Sequence, residues 1–165
     1  MEQQDIFVQM ALKAWNIQVK NTDKFFDSQD EESLLQEIAP GKNRVIYLLG
    51  HLIAVNDTMI GLFGLGNRAY AHLDEAFVKS PDKAIPTMPA PEILRAEWKA
   101  SNKILSEHFS KMTAADWFSK HTAMTDDDFV KEPGRNKLSV LINRTNHLAY
   151  HLGQLILARE VKSQK

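Results

Sequence analysis

The stretch from residue 136 to 161 is apolar around most of a helical circumference. One side carries Leu138, Leu141, Thr145, Leu148, Leu152, Leu155 and Ile156. Roughly opposite lie Val140, Arg144, His147, His151, Gln154 and Ala158. A helix with a single apolar stripe can rest on a surface, but one that is apolar on several sides must be covered on several sides. Other helices can cover one side of this segment. A second subunit or a ligand cleft can cover another.

The rest of the chain supplies helices to do the covering. Residues 4–26 read as one, with Ile6, Met10, Ala14 and Ile17 as its stripe and Phe7, Ala11 and Trp15 beside it. Asp30 is placed to cap a short helix over 31–38, with acids in the first turn where the helix dipole favours them. A long helix over 43–65 sets Arg44, Tyr47, Leu48, His51, Val55, Thr58 and Leu62 on one side, while Gly50, Ala54 and Gly61 form a low ridge for close approach by another helix. Residues 68–78 have a weaker helical pattern. Pro81, Pro86, Pro89 and Pro91 then impose an extended connection that can run the length of a bundle. The third long helix covers 92–112, with Ile93, Ala96, Ala100, Ile104 and Phe109 broadly inward and Leu94, Trp98 and Leu105 next to them. Thr113 to Asp116 is a helix-start signal. Residues 119–135 read as a polar loop with acids at Asp126, Asp127 and Asp128. The expected fold is all-α: a four-helix bundle with a long crossover between the second and third long helices, as one domain over 1–165.

Bulk properties narrow the function classes. A net charge of -1 offers no basic stripe for nucleic acid or acidic lipid. There is no cysteine, so disulfides, thiolate ligands and a cysteine nucleophile are excluded, and any thiol chemistry must use a thiol from outside. The start, M-E-Q-Q-D, lacks the basic and apolar regions of a secretory signal. No stretch reads as a membrane span, and a cytoplasmic protein is the expectation.

The chemistry sits in N-R-T-N-H-L-A-Y-H-L-G-Q (143–154). His147 and His151 are four apart, so on a helix both imidazoles leave one face, about 6 Å apart in rise. Leu148 stands where a zinc protease would have its general-base Glu. A third ligand is available in His51, near the middle of the second long helix. Mid-helix positions stay level whichever way two packed helices run, so the three imidazoles can meet. Three neutral ligands without a fourth leave coordination positions open, as in catalytic zinc sites, and imidazole also suits nickel, copper and iron. Arg144, one turn before His147, either holds an anionic substrate or pairs with an acid. Gln154, one turn after His151, either orients that imidazole or is an interface amide. His72, His108 and His121 read as surface residues. Asn56 and Asp57 fall off the His51 stripe, where solvent or helix contacts are expected.

There is also an internal echo. P-G-K-N-R-V-I-Y-L-L (40–49) is matched by P-G-R-N-K-L-S-V-L-I (133–142), and each copy opens a histidine-bearing helix. Either two helices share a start signal or a helical hairpin is duplicated.

The histidine of G-H-L-I-A at 50–54, with H-L-A-Y-H-L-G-Q at 147–154, resembles the DinB-like superfamily, also called DinB/YfiT-like, over nearly the whole chain to Glu160. The resemblance implies the same four-helix bundle, often dimeric, and a divalent metal, nickel or zinc, on His51, His147 and His151. It implies a metal-dependent enzyme of the thiol-dependent S-transferase or isomerase kind, using a low-molecular-weight thiol; a hydrolase is the runner-up among enzymes, and the residues themselves leave open a non-catalytic, stress-related metal-binding or interaction bundle. The family's name comes from DNA-damage induction and does not imply DNA binding. The chain departs from many members at Leu152, where a basic residue commonly follows the second histidine of the pair.

Overall fold

The computed structural model describes residues 2–162, with side chains described as far as Ala158. Every regular element among them is helical; the only extended pairings are two isolated bridges, Glu37 with Arg44 and Lys120 with Asn136. The elements are α1 (Gln3–Asp27), α2 (Glu31–Leu35), α3 (Val45–Leu62), α4 (Pro91–Phe109), α5 (Ala114–Phe118), α6 (Asp126–Lys131) and α7 (Lys137–Lys162), with a 3-10 turn at Ala71–Leu73 and a π-helical turn at Glu75–Lys79 between α3 and α4.

Local signals explain most boundaries. Asp30 caps α2 by accepting the Ser33 N–H at 2.7 Å. Pro91 opens α4 where its missing N–H costs no helical bond. Thr113 and Asp116 form a reciprocal capping box on α5. The acidic run is not loop: Thr125 caps it, and Asp126, Asp127 and Asp128 are the first turn of α6, where carboxylates complement the exposed N–H groups.

Ring contacts fix the directions of the long helices. Phe26 of α1 meets Trp98 of α4 at 5.8 Å between centroids and Trp15 meets Phe109 at 6.4 Å, so α1 and α4 are antiparallel. Phe63, just past α3, meets Phe109 at 6.0 Å, while Arg44, just before α3, donates to Met88 Sδ just before α4; these two helices run the same way. Thr58 lies by Arg144 and His51 by His147 and His151, so α3 and α7 are antiparallel. The chain between Phe63 and Ala90 therefore returns from the C-terminal end of α3 to the level of its N-terminal end.

Two expected stripes point elsewhere. On α1, Val8, Trp15, Phe25 and Phe26 are buried, whereas Ile6, Phe7, Met10 and Ile17 are exposed. The helix carries two apolar stripes, and the one bearing the large aromatic rings takes the core. On α4 the buried line is Leu94, Trp98, Ser101, Leu105 and Phe109, and Ile93 is exposed. Trp98 decides that register, with its indole N–H donating to Asp23. A third correction concerns α3. Its 18 residues have a mean hydropathy of 1.5, long and apolar enough to cross a membrane, contrary to expectation; 78% of the window is buried inside the fold, as a central core helix requires.

The returning connection is pinned to α3. Arg68 donates to Asp57 at 3.1 Å, to both Asp74 oxygens at 2.7 Å and to the Ala54 carbonyl at 3.1 Å. Asp57 also accepts the Ala69 and Tyr70 N–H groups. Further on, the Tyr47 hydroxyl donates to Ser80 O at 2.8 Å and Arg44 forks onto Asp82. The ridge of small residues on α3 is used by this connection and not by another long helix: Phe77 lies over Gly50, and Arg68 over Gly61.

Candidate metal centre

His51 leaves α3, and His147 and His151 leave α7, from the faces where these antiparallel helices meet. The half-buried positions of α3 are His51, Val55, Thr58, Gly61 and Leu62, with Arg44 at its N-cap; all but the buried Tyr47 and Leu48 of the expected stripe are on this partly open side. The three imidazoles converge. His147 Nε2 lies 3.1 Å from His51 Nε2 and 3.1 Å from His151 Nε2, and the ligating atoms of all three lie within 4.8 Å of one another.

The other ring nitrogens fix which atom faces inward. His51 Nδ1 is 2.7 Å from the Phe77 carbonyl, which can only accept, so Nδ1 carries the proton and Nε2 presents a lone pair. His151 Nδ1 is 2.8 Å from Gln154 Oε1, with the same consequence. His147 Nδ1 is buried without a partner. Tyr47 stacks on the His51 ring at 6.3 Å, and the exposed Tyr150 meets the His151 ring edge-on at 5.1 Å. The carbonyl that orients His51 belongs to the π-helical turn, a distortion that recurs at functional sites.

Electrostatics keep the imidazoles neutral. Burial pushes all three below the usual histidine range. His147 falls furthest, to about 4, first from burial and then from the neighbouring charges of His151, His51 and Arg144. Neutral imidazole is the ligating form. Lone pairs facing one another at 3.1 Å repel unless a cation or proton lies between them. Metal–nitrogen bonds of about 2.0–2.1 Å give ligand–ligand edges of about 2.9 Å at right angles and about 3.4 Å in a tetrahedron, so the cluster has the size a small divalent ion needs. The residues present fit such an ion.

All three expected ligands are thus brought together. Gln154 takes the orienting place on His151. Arg144 is half-buried with no carboxylate at ion-pair distance among the described residues; its one protein hydrogen bond runs from Nη2 to Thr58 Oγ1 at 3.2 Å. His72 is largely exposed. His121 is half-buried rather than on the surface, as is His108. Asn56 and Asp57 are buried against other elements, away from the histidines' contacts. Reading the sequence missed the Phe77 carbonyl and its clearance over Gly50. A backbone oxygen carries no sequence label, although a glycine directly before a mid-helix histidine was a usable clue.

Compared with known proteins, residues 14–155 match the family model described as DinB superfamily. No curated protein matches the chain.

Proposed function

The chain belongs to the DinB superfamily, and from that premise we propose that it is a metal-dependent enzyme with an open three-histidine centre. His51, His147 and His151 would hold a nickel or zinc ion. The observation that carries this reading is the convergence of three Nε2 atoms, two of them, on His51 and His151, oriented by a partner on the other ring nitrogen. A divalent ion bound by neutral ligands supplies a Lewis acid that lowers the pKa of a coordinated water or thiol toward neutrality. The chain's own residues keep that position oriented through Phe77 O and Gln154. Among the described residues no carboxylate hydrogen-bonds to the three histidines. This favours group transfer or isomerisation with a low-molecular-weight thiol, which brings its own nucleophile.

The architecture that supports the site is a four-helix bundle of α1, α3, α4 and α7, with residues 63–90 as the crossover, in one domain. The exposed line Ile6, Phe7, Met10 and Ile17 on α1 favours a homodimer, since a helix face of this kind gains from being covered. With no basic stripe and a buried α3, neither nucleic acid nor membrane is a partner, and the proposed setting is the cytoplasm.

Elemental analysis of untagged protein tests the centre. Near one equivalent of nickel or zinc is expected in the wild type and almost none in the His147→Ala/His151→Ala protein. Absence of metal, with no uptake on addition, would remove this reading and leave a non-catalytic interaction bundle. Metal-loaded protein should then turn over electrophiles only when a thiol is supplied.

A further inference from the structure

Arg144 differs from the other arginines whose polar partners the structure gives. Arg44 forks onto Asp82, Arg68 binds Asp57 and Asp74, Arg135 meets Glu132, and Arg95 donates to two backbone carbonyls, Phe26 O and Gln29 O. Arg144 has a neutral hydroxyl and nothing else. That hydroxyl, on Thr58, already donates to Val55 O at 2.6 Å. Among the described residues, Arg144 Nε is sealed from solvent without a partner, and Nη1 makes no bond to them. Burial alone works against its charge, with no carboxylate offsetting it.

A half-buried cation without a counter-ion is costly to keep, and its position says what it is kept for. It stands one turn before His147, and its charge is felt by both His147 and His51. With a divalent ion on three neutral ligands, the cleft would carry about three positive charges and no negative one. We propose that Arg144 is the anion-recognition residue of this centre, and that the ligand is a short carboxylate whose other end reaches the metal. This rests on the metal-centre reading above. The two ends are set by the helices. Arg144 is three residues from His147, about 4.5 Å in rise, and Thr58 is seven from His51, about 10 Å along α3. A chain of two to four carbons spans that interval. A guanidinium fork matches a carboxylate in plane and spacing, which favours it over a neutral polar group. The carboxylate can belong to the thiol or to a thiol-free co-substrate, and the two sources are separable.

The test is calorimetric titration of nickel-loaded and metal-free protein with 3-mercaptopropionate, 3-mercapto-1-propanol and succinate. For wild-type nickel protein, 3-mercaptopropionate should bind at least tenfold more tightly than the neutral thiol. Arg144→Met should bring that ratio within about twofold, with metal content and neutral-thiol affinity unchanged. Arg144→Lys should keep part of the preference, since it keeps the charge and loses the fork. Arg144→Gln serves if the methionine variant folds poorly. A wild-type preference for succinate over 3-mercaptopropionate would assign the carboxylate to the thiol-free substrate, provided that it too is lost in the variants. Equal binding of charged and neutral thiols with no succinate binding, or a preference that survives Arg144→Met, would overturn the proposal. If the protein takes up no metal, the metal reading falls, and with it the metal-bound end of the ligand; Arg144-dependent succinate binding to the metal-free protein then still decides the anion-recognition role of Arg144.

Discussion

Substituting Gly50 by alanine should damage the centre without touching a ligand. A β-carbon built there meets Phe77 Cδ1 and Cε1 at 2.4 Å and Cζ at 2.6 Å. Ordinary contact begins at 3.4 Å, so the ring must retreat by about 1 Å. It has no room to do so, because Phe77 is 0% exposed. Overpacking of this kind costs about 1–3 kcal/mol. The gain in helix propensity from Gly to Ala offsets about 1 kcal/mol. A net loss of up to about 2 kcal/mol should lower the melting temperature of a 165-residue chain by up to roughly 8 °C. The more telling effect is on metal. The Phe77 carbonyl that moves with the ring is the acceptor for His51 Nδ1 at 2.7 Å. Losing such an orienting partner weakens metal binding about 10–100-fold. Scanning fluorimetry of metal-free protein and competition against a chromophoric chelator read the two effects separately. Adding Phe77→Leu should restore stability beyond the sum of the single changes, because the smaller side chain makes the space the methyl needs. A Gly50→Ala protein that melts and binds metal like wild type would refute the argument.

Arg144→Met should leave the metal-free protein as stable as wild type or raise it by up to about 2 kcal/mol, since the aliphatic stem is kept and an uncompensated charge removed; a clear fall in the urea midpoint would show a structural partner. Metal-free protein should lose stability as pH falls. His147 has a folded-state pKa of about 4, below the unfolded value near 6.5, so the unfolded chain binds more protons between those limits and the loss is complete near pH 4. The full linkage of about 3 kcal/mol shrinks to about 1–2 kcal/mol for a half-exposed ring, and a flat difference between wild type and His147→Gln over that range would contradict it. Asp57→Asn should cost about 2–4 kcal/mol in urea unfolding, because it takes the charge from a buried carboxylate that accepts from Arg68, Ala69 and Tyr70, while Arg68 keeps Asp74; an unchanged midpoint would mean that the connection is held elsewhere.

What the sequence disclosed followed from how local each signal was. Caps at Asp30 and Thr113 were legible because a side chain and a backbone N–H three residues away decide them, and the start at Pro91 because proline lacks the N–H that a first turn leaves free. The convergence of the three histidines was legible because i, i+4 spacing on one helix and a mid-helix partner on another leave little freedom. The buried faces of α1 and α4 were not. Each helix offers two apolar lines, and tertiary partners choose between them: Trp98 through its bond to Asp23, Trp15 through its contact with Phe109. The turns at 71–79 were hidden for another reason. Their geometry is set by Asp57 and Arg68, whose pairing is invisible until α3 and the connection are placed together.

The echo between residues 40–49 and 133–142 gains meaning from the same geometry. Its register of 93 residues, carried forward, sets His51 against Arg144 and Thr58 against His151. In the structure these four are cross-paired between the antiparallel helices: His51 with the histidines of α7, and Arg144 with Thr58. Where two like helices cross antiparallel, equivalent positions face each other twice, once on each side of the crossing point. One crossing pair here is histidine with histidine, the other arginine with threonine. The helix starts support the correspondence, since Val45 and Leu138, and Leu48 and Leu141, are buried in both copies. A chance likeness between two start signals would explain the prolines and glycines. The facing of the polar residues beyond them follows from any antiparallel crossing, so a shared start signal and a duplicated hairpin account for it equally. The three histidines and the guanidinium thus lie on the two sides of one crossing of antiparallel helices, the histidines where a cation is proposed and Arg144 where the proposed anion would sit.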